Sequence, residues 1–163
     1  MMFRAMRRKN QALSQEAIKD ILRRGTSGVL ALSGDDDYPY AVPLSYVYDS
    51  GRLYFHCARS GHKIDALQKS AKASFCVIDK DLVVPEEYTT YFRSVIAFGQ
   101  IRVIKADDEK RTAIEKLAHK YAPTDTAAHR EEAINREWKP LCVLEMSIEH
   151  ITGKEAIELT VRK

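Results

Sequence analysis

Between Tyr38 and Ala58 the chain reads YPYAVPLSYVYDSGRLYFHCA, twenty-one residues that alternate with a period of two and are divided by one turn signal, Asp49-Ser50-Gly51. A period of two places successive side chains on opposite faces of a strand, and a tight turn between two such runs makes an antiparallel hairpin. Over residues 38–48, Tyr40, Val42, Leu44, Tyr46 and Tyr48 share one face, while Pro39, Ala41, Pro43, Ser45 and Val47 share the other. Each proline removes a ladder donor, so this strand belongs at an edge or where a sheet opens. On the returning strand Leu53, Phe55 and Cys57 oppose Tyr54, His56 and Ala58.

The flanking sequence supplies more of the same. Residues 27–33, 71–79, 91–105 and 141–152 read as further strands, with Gly99 placed where a bulge would let a long strand curve. Residues 80–90 read as a loop or irregular edge broken by Pro85. Helices are expected over 14–24, where Ser14 caps and Gly25 stops, and from an Asp107 or Asp108 cap to Tyr121 with Ile114, Leu117, Ala118 and Tyr121 buried. A more polar helix follows over 125–138, and a charged tail ends the chain. Six antiparallel strands with peripheral helices predict a mainly β (α+β) protein, a meander or Greek-key barrel, folded as one domain over residues 1–163.

Composition excludes several classes of function. With 45% hydrophobic and 30% charged residues the chain can build a core without metal or disulfide support, and its apolar runs are too short to cross a membrane. The basic start MMFRAMRRKNQ is not followed by an apolar signal region, and Cys57, Cys76 and Cys142 are odd in number, so a cytoplasmic protein with reduced thiols is expected. A net charge of +3, concentrated at Arg4, Arg7, Arg8 and Lys9, lacks the aromatic or helical pattern of a nucleic-acid reader. GxGxxG, P-loop and GxSxG motifs are missing, and no metal site is expected, because His56 and Cys57 point to opposite faces and His119, His129 and His150 are scattered toward solvent.

One stretch does suggest chemistry. In LYFHCARSGHKIDAL, residues 53–67, a strand breaks at Ser60-Gly61 and continues as a short helical turn. If Ser60 caps that turn, the N–H groups of Gly61, His62 and Lys63 face outward at the positive end of a helix, beside one permanent and one titratable cation, and a phosphate fits there. The same residues would equally suit a solvated strand-to-helix connection.

Taken together, YPYAVPLSYVYD at 38–49, GRLYFHCARSGHKID at 51–65, ASFCV at 73–77, YTTYFRSVIAFGQ at 88–100 and ITGKEA at 151–156 resemble the FMN-binding split-barrel superfamily of pyridoxamine 5'-phosphate oxidase, and within it the branch of the nitroimidazole-resistance reductases. The resemblance implies a six-stranded split barrel that dimerises with FMN in the grooves between subunits. It puts His62 and Lys63 on the FMN phosphate, His56, Cys57 and Ala58 along the phosphate and ribityl chain, and Pro43, Leu44 and Ser45 beside the isoalloxazine. Ser94 falls where the partner subunit adds a polar contact. The implied activity is FMN-dependent reduction of nitroaromatic or similar electron-poor compounds by NAD(P)H, with the catalytic residues unassigned and Tyr46, Tyr91 or Trp138 as candidates to line the substrate side. Alternatives are a non-catalytic flavin or small-ligand binder, or a split barrel using haem or a deazaflavin. The tail GKEAIELTVRK departs from the basic segment that holds phosphorylated pyridoxine in the vitamin oxidase, so that substrate is not expected.

Overall fold

The computed structural model describes residues 3–160; residues 1–2 of the basic start and 161–163 of the charged tail lie outside the described residues. Helix α1 (Gln15–Arg24) begins where Ser14 Oγ accepts from the N–H of Ala17 at 3.1 Å and ends where Gly25 N–H donates to Ile21 O at 2.9 Å. Its stripe of Ile18, Ile21 and Leu22 is fully buried. Strands β1 (Gly28–Ser33), β2 (Pro39–Leu44), β3 (Val47–Asp49) and β4 (Arg52–Ala58) come next, then α2 (His62–Lys69), β5 (Lys72–Val84) and β6 (Thr89–Val103). Helices α3 (Asp107–Tyr121) and α4 (Ala127–Glu137), strand β7 (Leu141–Glu155) and α5 (Ile157–Thr160) complete the order.

The strands form one antiparallel sheet in the order β2-β1-β5-β6-β7-β4-β3. Laid flat, seven strands would separate its two edges by roughly 29 Å. Yet the edges β2 and β3 are joined only through Ser45 and Tyr46, a link that reaches about 11 Å at most. The sheet must therefore curl until its edges meet, which makes a barrel with a seam between β2 and β3.

The seam corrects the expected strand count from six to seven. Residues 38–48 do not run as one strand, because Tyr46 turns its side chain fully into the core, where its hydroxyl donates to Leu22 O at 2.8 Å and its ring meets Phe75 edge-on at 5.1 Å. The two prolines do mark an edge, since β2 is one. Residues 80–84, expected in a loop, extend β5 and pair with β6 as far as Val84↔Thr89. Pro85 stands beyond the last ladder pair, so it ends the strand rather than breaking it. Gly99 carries the expected bulge: the register slips between Phe98 and Gly99, and a Cβ there would lie 2.0 Å from Ser147 O.

Two apolar clusters occupy opposite faces of β4. Leu53 and Phe55 join Leu30, Phe75, Val95 and Leu144 inside the barrel, whereas Tyr54 packs with Ile104, Ala113 and Val143 under α3. His56 and Ala58 share the α3 side. Two further expectations change. Ala106 rather than Asp107 or Asp108 is the N-cap of α3, and His150 is half-buried, its ring stacked 4.8 Å from that of Phe3.

Candidate functional site

Helix α2 starts on Gly61, not on Ser60. Gly61 has φ +131°, a conformation open to glycine, and nothing lies within 4 Å of where its Cβ would be. No side chain caps this helix, so the N–H groups of its first turn, among them His62 and Lys63, remain available to a ligand. Lys63 is half-buried and forms no ion pair among the described residues. His62 stacks on Tyr40 with ring centroids 3.8 Å apart, and its Nε2 lies 4.0 Å from Asp35 Oδ2. Asp35 is bound more closely by Lys69 at 3.0 Å, and Lys69, then the His62 imidazole, hold its carboxyl below the usual carboxylate range.

Four residues back from His62, β4 enters a cavity of about 550 Å³. Ser45, His56, Cys57 and Ala58 line one wall, and Leu117 and Tyr121 of α3 with Ile134 of α4 line the other. The lining is predominantly apolar, and the size is that of a pocket for a ring system. Cys57 stands directly across from Cys142 on β7; burial, then the neighbouring Cys142 thiol, pushes the Cys57 thiol up to about 12, with Lys63 acting in the opposite sense. A thiol so held is a wall rather than a nucleophile.

The structure thus gathers Ser45, His56, Cys57 and Ala58 around one cavity, with Pro43 and Leu44 immediately before it on β2 and His62 and Lys63 immediately after it on α2. Ser94 is elsewhere in the same chain, in a recess on the outer sheet face with Ile96, Phe98 and His150. None of the three aromatic candidates for the substrate side lines the cavity. Tyr46 is in the core, Tyr91 packs with Ala156 and Leu159, and Trp138 lies beneath Lys110 Nζ at 4.2 Å from its ring centroid.

Sequence reasoning missed the clamp that shapes this cavity. Tyr121, expected to be buried, is 41% exposed; its hydroxyl accepts from Tyr46 N at 2.9 Å and lies 2.6 Å from Thr26 O and 2.9 Å from Tyr46 O. Lys120 Nζ donates to Tyr46 O at 2.8 Å and stands 3.8 Å from the Tyr46 ring centroid. The C-terminus of α3 therefore holds both backbone groups of Tyr46 at the seam and fixes Ser45 at the cavity mouth. Only the pair Leu117 and Tyr121, spaced i,i+4, signalled which face of α3 would look this way.

Burial pushes the Lys120 amine down to about 8 from its usual 10.5. Between those values the folded chain holds fewer protons than the unfolded one, so this lysine's contribution to stability is full above 10.5 and is lost as the pH falls through 8. In urea denaturation the native chain should gain stability relative to Lys120→Met as the pH rises across that window. A difference independent of pH would show that the amine keeps its ordinary titration.

A family model described as pyridoxamine 5'-phosphate oxidase matches residues 14–155 of this sequence. No curated protein matches it. Among solved structures, one of a candidate 5-nitroimidazole antibiotic resistance protein from Bacteroides thetaiotaomicron superposes with a TM-score of 0.74 at 21% identity, covering 88% of this chain and 86% of that one. An FAD and haem binding protein from Mycobacterium smegmatis gives 0.71 at 21% identity over 94% and 80% of the two chains. An FAD-binding protein from Mesorhizobium loti gives 0.62 at 21% identity over 90% and 97%. At such identities the likeness shows a shared fold.

Proposed function

Because the chain belongs to the pyridoxamine 5'-phosphate oxidase family, we propose that it is a flavin-binding oxidoreductase which takes FMN and reduces nitroaromatic or similar electron-poor compounds with electrons from NAD(P)H. The observation that carries this reading is a juxtaposition: an uncapped helix start bearing Lys63 lies a few residues from an apolar cavity of ring-system size. A flavin nucleotide has that same division, an anionic end and a flat apolar end. Bound there, it would supply the hydride and electron transfer itself.

The residues of this chain then bind and orient. Lys63 and the N–H groups of His62 and Lys63 hold the phosphate. His56, Cys57 and Ala58 form the wall along the chain of the cofactor, and Pro43 to Ser45, at an edge that pairs with no strand beyond it, leave backbone free to border the ring. Leu117 and Ile134 exclude water from the far side. A homodimer with the flavin at its interface completes the site. Its support is an outer sheet face on which Val29, Ile78, Ile96 and Phe98 are exposed at 39%, 65%, 40% and 37%, a patch suited to a second copy and one that carries Ser94. Glu155, at 0% exposure, pairs with Arg93 at 3.1 Å, so this part of β7 serves the fold.

No helix among the described residues is long and apolar enough to cross a membrane, and the three cysteines are free thiols, which supports a cytoplasmic place. FAD is the alternative flavin, since two proteins of similar fold bind it. Purified chain should be yellow, release FMN identified by mass spectrometry, bleach with NADH or NADPH and recolour on adding a nitro compound. Bleaching without turnover would make it a binder; colourless protein whose melting temperature ignores added FMN would remove the flavin.

His62 is tested by substitution: His62→Ala should weaken FMN binding in calorimetric titration, and native affinity in the variant would assign His62 to packing on Tyr40 alone.

A further inference from the structure

A second cavity, of about 650 Å³, is lined by Arg59, the residue after Ala58 of the first. Its floor is apolar, made by Ile64 and Leu67 of α2, Val103 at the end of β6 and Leu141 at the start of β7. Its rim is cationic. Arg102 is already taken up by Glu145 and Glu109, but Arg59 and Lys105 form no ion pair among the described residues. Lys110, 6% exposed, donates to Trp138 O at 2.8 Å and faces the cavity without a carboxylate bonded to it. Burial, then the charge of Arg59, holds the Lys110 amine below the usual lysine range; Asp107 acts the other way and is outweighed. Lys110 Nζ has the Trp138 ring 4.2 Å away and no carboxylate bonded to it, so an anion in the cavity would offset the repulsion between these two cations.

We propose that this cavity is a nucleotide subsite that takes an adenylate group. The phosphate meets Arg59, Lys105 and Lys110, the purine lies on the apolar floor, and Gln68 and Asp107 at the rim supply the amide and carboxylate that hydrogen-bond a base edge or ribose hydroxyls. A simple fatty acid would use the floor and the cations but leave Gln68 and Asp107 without a role. The two cavities share Leu141, and Arg59 precedes Gly61 by two residues while Ile64 follows Lys63 directly, so this subsite adjoins the proposed phosphate clamp. Two sources of adenylate fit that position, and both rest on the flavin reading above: the second half of FAD, whose two phosphates share a bridging oxygen and must lie side by side, or the adenylate half of the nicotinamide donor.

The test is calorimetric titration of the ligand-free full chain with AMP, FMN and FAD, repeated for Lys105→Glu and Arg59→Gln. AMP should bind, and each substitution should weaken it about tenfold or more, the loss of a charge-assisted contact. FAD binding at least about tenfold tighter than FMN, with the advantage gone in Lys105→Glu, identifies the flavin as the source. Equal FAD and FMN affinities, with AMP competing against NADPH or NADH, identify the donor. AMP that gives no heat at millimolar concentration, or binds both variants as it binds the native chain, overturns the subsite. FMN binding without AMP would leave the clamp intact and remove only this proposal, whereas AMP without FMN would do the reverse.

Discussion

Lys63→Glu is expected to weaken flavin binding about 100-fold or more. A charge-assisted hydrogen bond to phosphate contributes about 1.5–3 kcal/mol, or roughly 10- to 100-fold in affinity, and a reversed charge adds repulsion to that loss. Lys63 has no competing ion pair among the described residues, so its charge is not engaged elsewhere in the fold. The same substitution places an acid in the first turn of α2, where it is favourable to the helix. The melting temperature of the flavin-free chain should therefore hold or rise slightly while affinity collapses. That opposition separates a lost ligand contact from a damaged fold, and fluorescence titration with FMN beside a thermal melt reads both. Native affinity in the variant would take Lys63 out of the site.

Phe75→Ala should cost about 3–5 kcal/mol of stability, the usual penalty for emptying a large buried aromatic position. Phe75 is 1% exposed and meets both Tyr46 and Phe55 edge-on, each at 5.1 Å. Gly28 closes over its ring so tightly that a Cβ at that glycine would lie 2.3 Å from Phe75 Cζ. At about 2–4 °C per kcal/mol for a domain of this size, the melting temperature should drop by roughly 6–20 °C. Since Phe75 backs the ring of Tyr46, the seam should loosen as well and Ser45 should lose its fixed place at the cavity mouth. Urea denaturation and FMN titration of the variant check the two effects. A loss under about 1 kcal/mol would mean that Tyr46 and Phe55 collapse into the space and that the seam does not depend on this contact.

How far the site could be read in advance depended on the range of the interaction involved. The break at Ser60-Gly61, the cations at 62 and 63 and the edge prolines at 39 and 43 are local signals, because a φ of +131° or a missing ladder donor is a property of a single residue. Ser60 was expected as the cap and Gly61 serves instead, an error of one residue within the right turn. The roof of the cavity carried no such signal. Leu117, Tyr121 and Ile134 look like the core stripe of any amphipathic helix, and nothing near them in sequence says that His56 and Ala58 lie opposite.

The seam shows the same division most clearly. Alternation across residues 38–48 continues unbroken through Ser45 and Tyr46, so local pattern predicts one strand. What interrupts it is distant in sequence: Leu22 takes the Tyr46 hydroxyl, Phe75 takes the ring, and Lys120 and Tyr121 take the backbone. Residue order therefore settled the helix caps at Ser14 and Gly25, the antiparallel hairpins, the Gly99 bulge and the glycine break before α2, since each follows from backbone sterics and hydrogen-bonding groups within a few residues. Closure of the barrel, the split at Ser45–Tyr46, the pairing of Cys57 with Cys142 and the two cavities that share Leu141 came from tertiary structure alone. They depend on which buried surfaces oppose one another when the sheet curls, and burial is decided by the whole chain at once.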